Sequence, residues 1–149
     1  MKIAIDTAFD NIKNDGGPFG AVIVKDGKIV GRGGNRVTAS NDPTAHAEIT
    51  AIRDAGKNLH TFDLKGCVIY SSCEPCPMCL AAIYWARIDA VHYGSQRQDA
   101  AKAGFDDDFI YKELALDPDD RQVSTHSVDR DKALDIFTKW TEKTDKIAY

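Results

Sequence analysis

The sequence has no apolar run approaching the ~20 residues of a membrane span, so no transmembrane helix is expected. It has no Asn-x-Ser/Thr sequon. Its opening stretch, MKIAIDTAFDN, carries an acid early and lacks both a long apolar segment and a small-residue cleavage site, so it does not read as a secretory leader. The cytoplasm is the expected address, and thiols stay reduced there. Cysteine is scarce, with four in 149 residues, and pairing into disulfides is not expected. An excess of basic residues is also lacking: 19 Lys and Arg face 23 Asp and Glu, for a net charge of −4. A polyanionic partner needs a basic footprint, so neither a nucleic acid nor a membrane is the expected partner. Internal repeats, low-complexity tracts and linkers are missing too, and 149 residues suit a single domain, 1–149.

What is present alternates helix and strand. Ile5, Ala8, Phe9 and Ile12 recur at helical spacing as one apolar stripe, which predicts a helix over 3–14. Two β-branched runs flank Asp26-Gly27, a type I′ hairpin signal because both turn positions need positive φ. The small residues of Gly31 to Gly34 allow another backbone or a ligand to approach. Asn41-Asp42-Pro43-Thr44 is turn and cap chemistry before a helix over 44–54. Cys67 to Ser72 and Ala90 to Ser95 read as strands, and Gln122 to Val128 is strand-like. Pro75 to Arg87 is apolar nearly all round, which predicts a buried helix, and a further helix is expected around 132–143. Strands alternating with helices imply an α/β sheet covered by helices.

Three of the four cysteines fall in SSCEPCPMC. Cys76 and Cys79 are i and i+3 on a helix start, so their sulfurs share one face at the positive end of the helix dipole, which favours thiolate. Among the four histidines, His46 in TAHAE sits in the matching place, at the start of another helix. Two cysteines and one histidine leave zinc one open position, as catalytic rather than structural sites do. A water there is acidified to a pKa of roughly 7. Glu48 follows His46 by two residues and suits a general acid/base better than a ligand. The plainer reading of Cys67 and Cys73 is small buried side chains, and of His60, His92 and His126 packing or surface residues.

Taken together, His-x-Glu followed 27 residues later by Pro-Cys-x-x-Cys is the pattern of the zinc nucleobase deaminases. TAHAEITAIR and CEPCPMCLAAIYWARI resemble the cytidine-deaminase-like superfamily. Within it, GGPFGAVIVKDG, SNDPTAHAE, SCEPCPMC, YWAR, AGFDDDFIYKE and the final Tyr149 resemble the bacterial guanine deaminases of the small zinc type. The resemblance implies a three-layer α/β/α sandwich with a central mixed five-stranded sheet. It implies one zinc per chain and a homodimer with the C-terminal segment swapped between subunits. The implied reaction is hydrolytic conversion of guanine to xanthine and ammonia, with Glu48 protonating the ring nitrogen and then the departing amine. The substrate contacts it implies are Asn35, the backbone of Ala47, and Asp107 from the FDDDF run, with Phe19, Trp85 and Tyr149 as walls and lid. Apart from the resemblance, Trp85 reads as core, Tyr149 as a frayed end and Asp107 as a surface acid. The alternatives are a deaminase of another small base or nucleoside (cytosine, isocytosine, guanosine or an s-triazine amine), a tRNA adenosine deaminase, or a zinc-stabilised binding module without catalysis.

Overall fold

The computed structural model describes residues 1–148. Its elements run in the order α1 (Lys2–Lys13), β1 (Gly17–Lys25), β2 (Lys28–Asn35), α2 (Val37–Ser40), α3 (Ala47–Leu59), β3 (Cys67–Cys73), α4 (Pro77–Trp85), β4 (Ala90–Ser95), α5 (Arg97–Lys102), α6 (Asp108–Ala115), a 3₁₀ turn (Pro118–Asp120) and α7 (Arg130–Glu142). The chain forms two compact units, Met1–Asp108 and Phe109–Tyr149.

The first unit holds a mixed sheet in the order β2-β1-β3-β4. β1 pairs antiparallel with both β2 and β3, and β3 pairs parallel with β4. The hairpin is as expected: Asp26 and Gly27 both take positive φ, 49° and 74°, between β1 and β2. The register sorts side chains to two faces. Ala21 and Ile23 of β1 lie opposite Gly33 and Gly31 of β2, and opposite Ser71 and Ile69 of β3. That face carries the core, with Ala47, Ala51 and Ala55 of α3 and Ile83 of α4 packed on it. A Cβ at Gly31 or Gly33 would stand 2.4 or 2.3 Å from a carbonyl oxygen of α3, so the glycine run admits a helix backbone. On the other face, α1 lies as close to Gly20, where a Cβ would meet the Ala4 oxygen at 2.4 Å. Helices on both faces of one sheet make three α/β/α layers.

Two expectations are corrected, the strand count and the burial of α4. The sheet has four strands among the described residues, not five, and Gln122 to Val128 carry no strand. The apolar stripe of α1 is only partly on the sheet: Ala4, Thr7, Ala8 and Asn11 are buried, while Phe9 is 62% exposed and Ile12 52%. A helix backbone resting on glycine has room beneath it only for small side chains, so the larger apolar ones are displaced to the flank. The helix α4 is not buried all round either. Only Cys79 and Ile83 are buried, while Tyr84 and Trp85 stand exposed. In the second unit, α7 lies where a helix was expected, and none of its residues is buried.

Candidate metal centre and active site

Strands β2 and β3 end, and β1 begins, at the same edge of the sheet, because β1 runs antiparallel to both. The two helix starts converge there. His46 is the N-cap of α3 and Cys76 the N-cap of α4, both in extended backbone, and Cys79 is one turn on, fully buried. Pro77 opens α4, where its missing N–H costs no intrahelical bond.

His46 Nδ1 lies 3.5 Å from the sulfurs of both Cys76 and Cys79. A tetrahedral zinc with ordinary Zn–N and Zn–S bonds sets its nitrogen and sulfur ligands roughly 3.6 Å apart. The three donor atoms lie within 4.8 Å of one another and form the His/Cys/Asp/Glu cluster that can hold a metal among the described residues. Donor type and spacing both fit zinc, and three protein ligands leave a position open. Cys73 stands apart, buried, with its sulfur 3.7 Å from the Gln96 carbonyl oxygen. All four cysteines are free thiols.

The charges within the cluster reinforce one another. A hydrogen bond from the Cys79 thiol, with help from His46, holds Cys76 down to about 4 despite its burial. Cys79 is driven upward, by that same bond to Cys76 and by burial. His46 is raised, chiefly by its contact with Cys76, against burial. The pair of cysteines therefore presents one thiolate, and a metal must displace the remaining protons when it binds.

Beside the cluster lies a cavity of about 270 Å³. It is slightly below the ~300–1,000 Å³ common for drug-sized ligands, which suits a smaller molecule. Phe19, Asn35, His46, Ala47, Glu48 and Asp107 all line it. Phe19 meets Phe105 edge-on, with centroids 4.9 Å apart. Asn35 is buried; Asn11 Nδ2 donates to its carbonyl at 2.7 Å, and its own Oδ1 accepts the Val37 N–H at 3.3 Å. Burial raises the Asp107 carboxyl, with the nearby Cys76 adding to the rise. Glu48, 6% exposed, accepts a hydrogen bond from Ser71 at 2.8 Å. Trp85 is not among the lining residues and is 69% exposed. Tyr149 lies outside the described residues.

Residues 1–95 match the model of the cytidine and deoxycytidylate deaminase zinc-binding region. The chain belongs to this deaminase family. Guanine deaminase of Bacillus subtilis (strain 168) is 51% identical over 150 residues, spanning all of this chain and 96% of that one. An X-ray structure of guanine deaminase from Bacillus subtilis superposes with a TM-score of 0.96 at 52% identity, covering 99% of this chain and 95% of that one. The tRNA-specific adenosine deaminase of Buchnera aphidicola subsp. Schizaphis graminum is 41% identical over 105 residues, 70% of each chain. The zinc-binding region of these deaminases coincides here with the His46, Cys76 and Cys79 cluster.

Several lining residues escaped the sequence reading: Glu74, Arg97 and Phe105. Glu74 sits inside the cysteine motif, and its carboxylate accepts the Arg97 N–H at 3.1 Å, which ties β3's exit to the start of α5. Position inside SCEPC was the available signal for Glu74. Nothing in SQRQD marks Arg97.

Proposed function

We propose that this chain hydrolyses guanine to xanthine and ammonia. The observation that carries the reading is the full-length likeness to a guanine deaminase, 51% identity over the whole chain, around an intact donor cluster and Glu48. When bound, zinc supplies a Lewis acid that makes a water nucleophilic near neutral pH. The chain's own residues do the rest. Asn35, with its Oδ1 engaged by Val37, offers Nδ2 to the purine carbonyl oxygen. The Ala47 N–H is a first-turn donor without an intrahelical partner and faces the same cavity. Asp107 accepts from purine N–H groups, and Phe19 supports one flat face. Glu48 takes one proton of the attacking water and gives it to the ring nitrogen, then takes the water's second proton from the new hydroxyl on the ring carbon and gives it to the departing amine. One water is consumed and one ammonia leaves.

The setting is cytoplasmic purine metabolism, and the chain acts as one domain in a homodimer with its C-terminal segment exchanged and Tyr149 closing the partner's site. Uncovered apolar surface supports this. Phe9 and Ile12 of α1, Tyr84 and Trp85 of α4, and Ile136 and Phe137 of α7 are all more than half exposed. Such surface marks interaction sites.

The test is ammonia release from guanine by the zinc-loaded protein, with xanthine followed by ultraviolet absorbance. Saturable turnover is expected. A zinc-loaded protein that is idle on guanine and active on adenosine in tRNA would replace this reading with that of the tRNA deaminases.

A further inference from the structure

Strand β3 alternates strictly, with Cys67, Ile69, Ser71 and Cys73 buried and the residues between them only partly so. Ser71, 1% exposed, is the one hydroxyl on that inward row. The register places it opposite Ala21, which lies opposite Gly33, and Gly33 is where the first turn of α3 touches the sheet. Ser71 therefore lies beneath that turn. A buried hydroxyl is costly unless it finds a partner, and this one donates to Glu48 Oε1 at 2.8 Å. Glu48 lines the cavity; Ser71 does not.

We propose that Ser71 is a positioning residue: it holds Glu48 by Oε1, so that the proton is taken up and given up at Oε2. This rests on the reading of Glu48 as the proton carrier. The bond survives the proton's arrival, because a carboxyl group protonated on Oε2 still offers Oε1 as an acceptor. Both halves of the transfer then use one oxygen in one place, and the carboxylate has no need to swing between the ring nitrogen and the amine. Only a donor serves here. Alanine offers none, while threonine keeps the hydroxyl and suits a strand.

The test compares full-length, zinc-loaded wild type, Ser71→Ala and Ser71→Thr on guanine. Ser71→Ala is expected to lower kcat by about 10- to 100-fold, the cost of a misplaced reacting group. KM and zinc content should stay near the wild-type values, and Ser71→Thr should recover most of the loss. An unchanged kcat in Ser71→Ala overturns the proposal, as does a loss that follows zinc content in both variants. The wild-type rate measured alongside tests the guanine reading separately. Should the wild type be idle on guanine, the crystal structure of zinc-loaded Ser71→Ala decides. A Glu48 carboxylate displaced from its position supports the proposal, and one that has not moved overturns it.

Discussion

Two helices of similar length lie on the sheet, α1 on one face and α3 on the other, and they are built by the same device. Each rests its backbone on a strand glycine, α1 on Gly20 and α3 on Gly31 and Gly33. Each presents small residues to the sheet: Ala4, Thr7, Ala8 and Asn11 from α1, and Ala47, Ala51 and Ala55 from α3. They differ on the outward side. There α3 carries Arg53, Lys57 and Asn58, whereas α1 carries Ile5, Phe9 and Ile12, which line an apolar groove with Pro18 and Phe19. They also differ at the N-terminus, where α3 begins on a metal-site residue and α1 on Met1. One close-packed contact thus serves chemistry on one face and leaves a sticky surface on the other.

Filling the glycines should separate the two roles. Gly33→Ala puts a methyl group 2.3 Å from the Ala47 oxygen, directly under the turn that carries His46 and Glu48. Backbone cannot yield cheaply there. We expect a cost of about 3 kcal/mol, the upper part of the range for overpacking, together with loss of zinc and of turnover. Gly20→Ala makes an equally close contact with α1 but lies far from the ligands in sequence and on the opposite face. It should cost about as much stability while keeping zinc at one per chain. Zinc content and thermal unfolding of the two variants check this, and equal zinc loss in both would break the comparison.

Glu48→Gln removes the acid while keeping the shape of α3's first turn. Zinc should stay at one per chain, and kcat should fall by roughly 10²–10⁴, the usual worth of a positioned acid/base group. Retained turnover would take Glu48 out of the proton-carrier role.

The metal site was legible because its chemistry is local. Cys76 and Cys79 share a helix start, His46 caps another, and few residue types compete for those places. The hairpin was legible because Asp26-Gly27 meets a backbone demand that few pairs meet. The buried face of α1 was not legible because periodicity locates the large apolar residues but not what lies under the helix. Gly20, fifteen residues from Ile5, decided that. The burial of α4 was misread for a similar reason, since a helix apolar on every side looks the same whether a core or another surface covers it. Ser71 carried a signal that went unread: a hydroxyl in the inward register of a strand whose other inward positions are Cys67, Ile69 and Cys73. The cavity residues Arg97 and Phe105 come from turns and short helices after β4, where neither period nor motif speaks.

The smallest expected effect concerns the outward side of α1. Phe9 is 62% exposed, so Phe9→Ser should leave the first unit's stability within about 0.5 kcal/mol if nothing covers that face. In an assembled dimer the same change removes an aromatic side chain from an interface, where such residues dominate binding. The mass in solution at micromolar protein should then shift toward the monomer. Lys57→Ser, at an exposed position on α3, supplies the control and should leave the mass as it was. If Phe9→Ser and Lys57→Ser behave alike, the apolar side of α1 covers no partner and the contrast between the two helices ends at the metal site. If only Phe9→Ser dissociates, then the face that the helical period pointed to is a buried face after all, closed by a second chain and not by its own sheet.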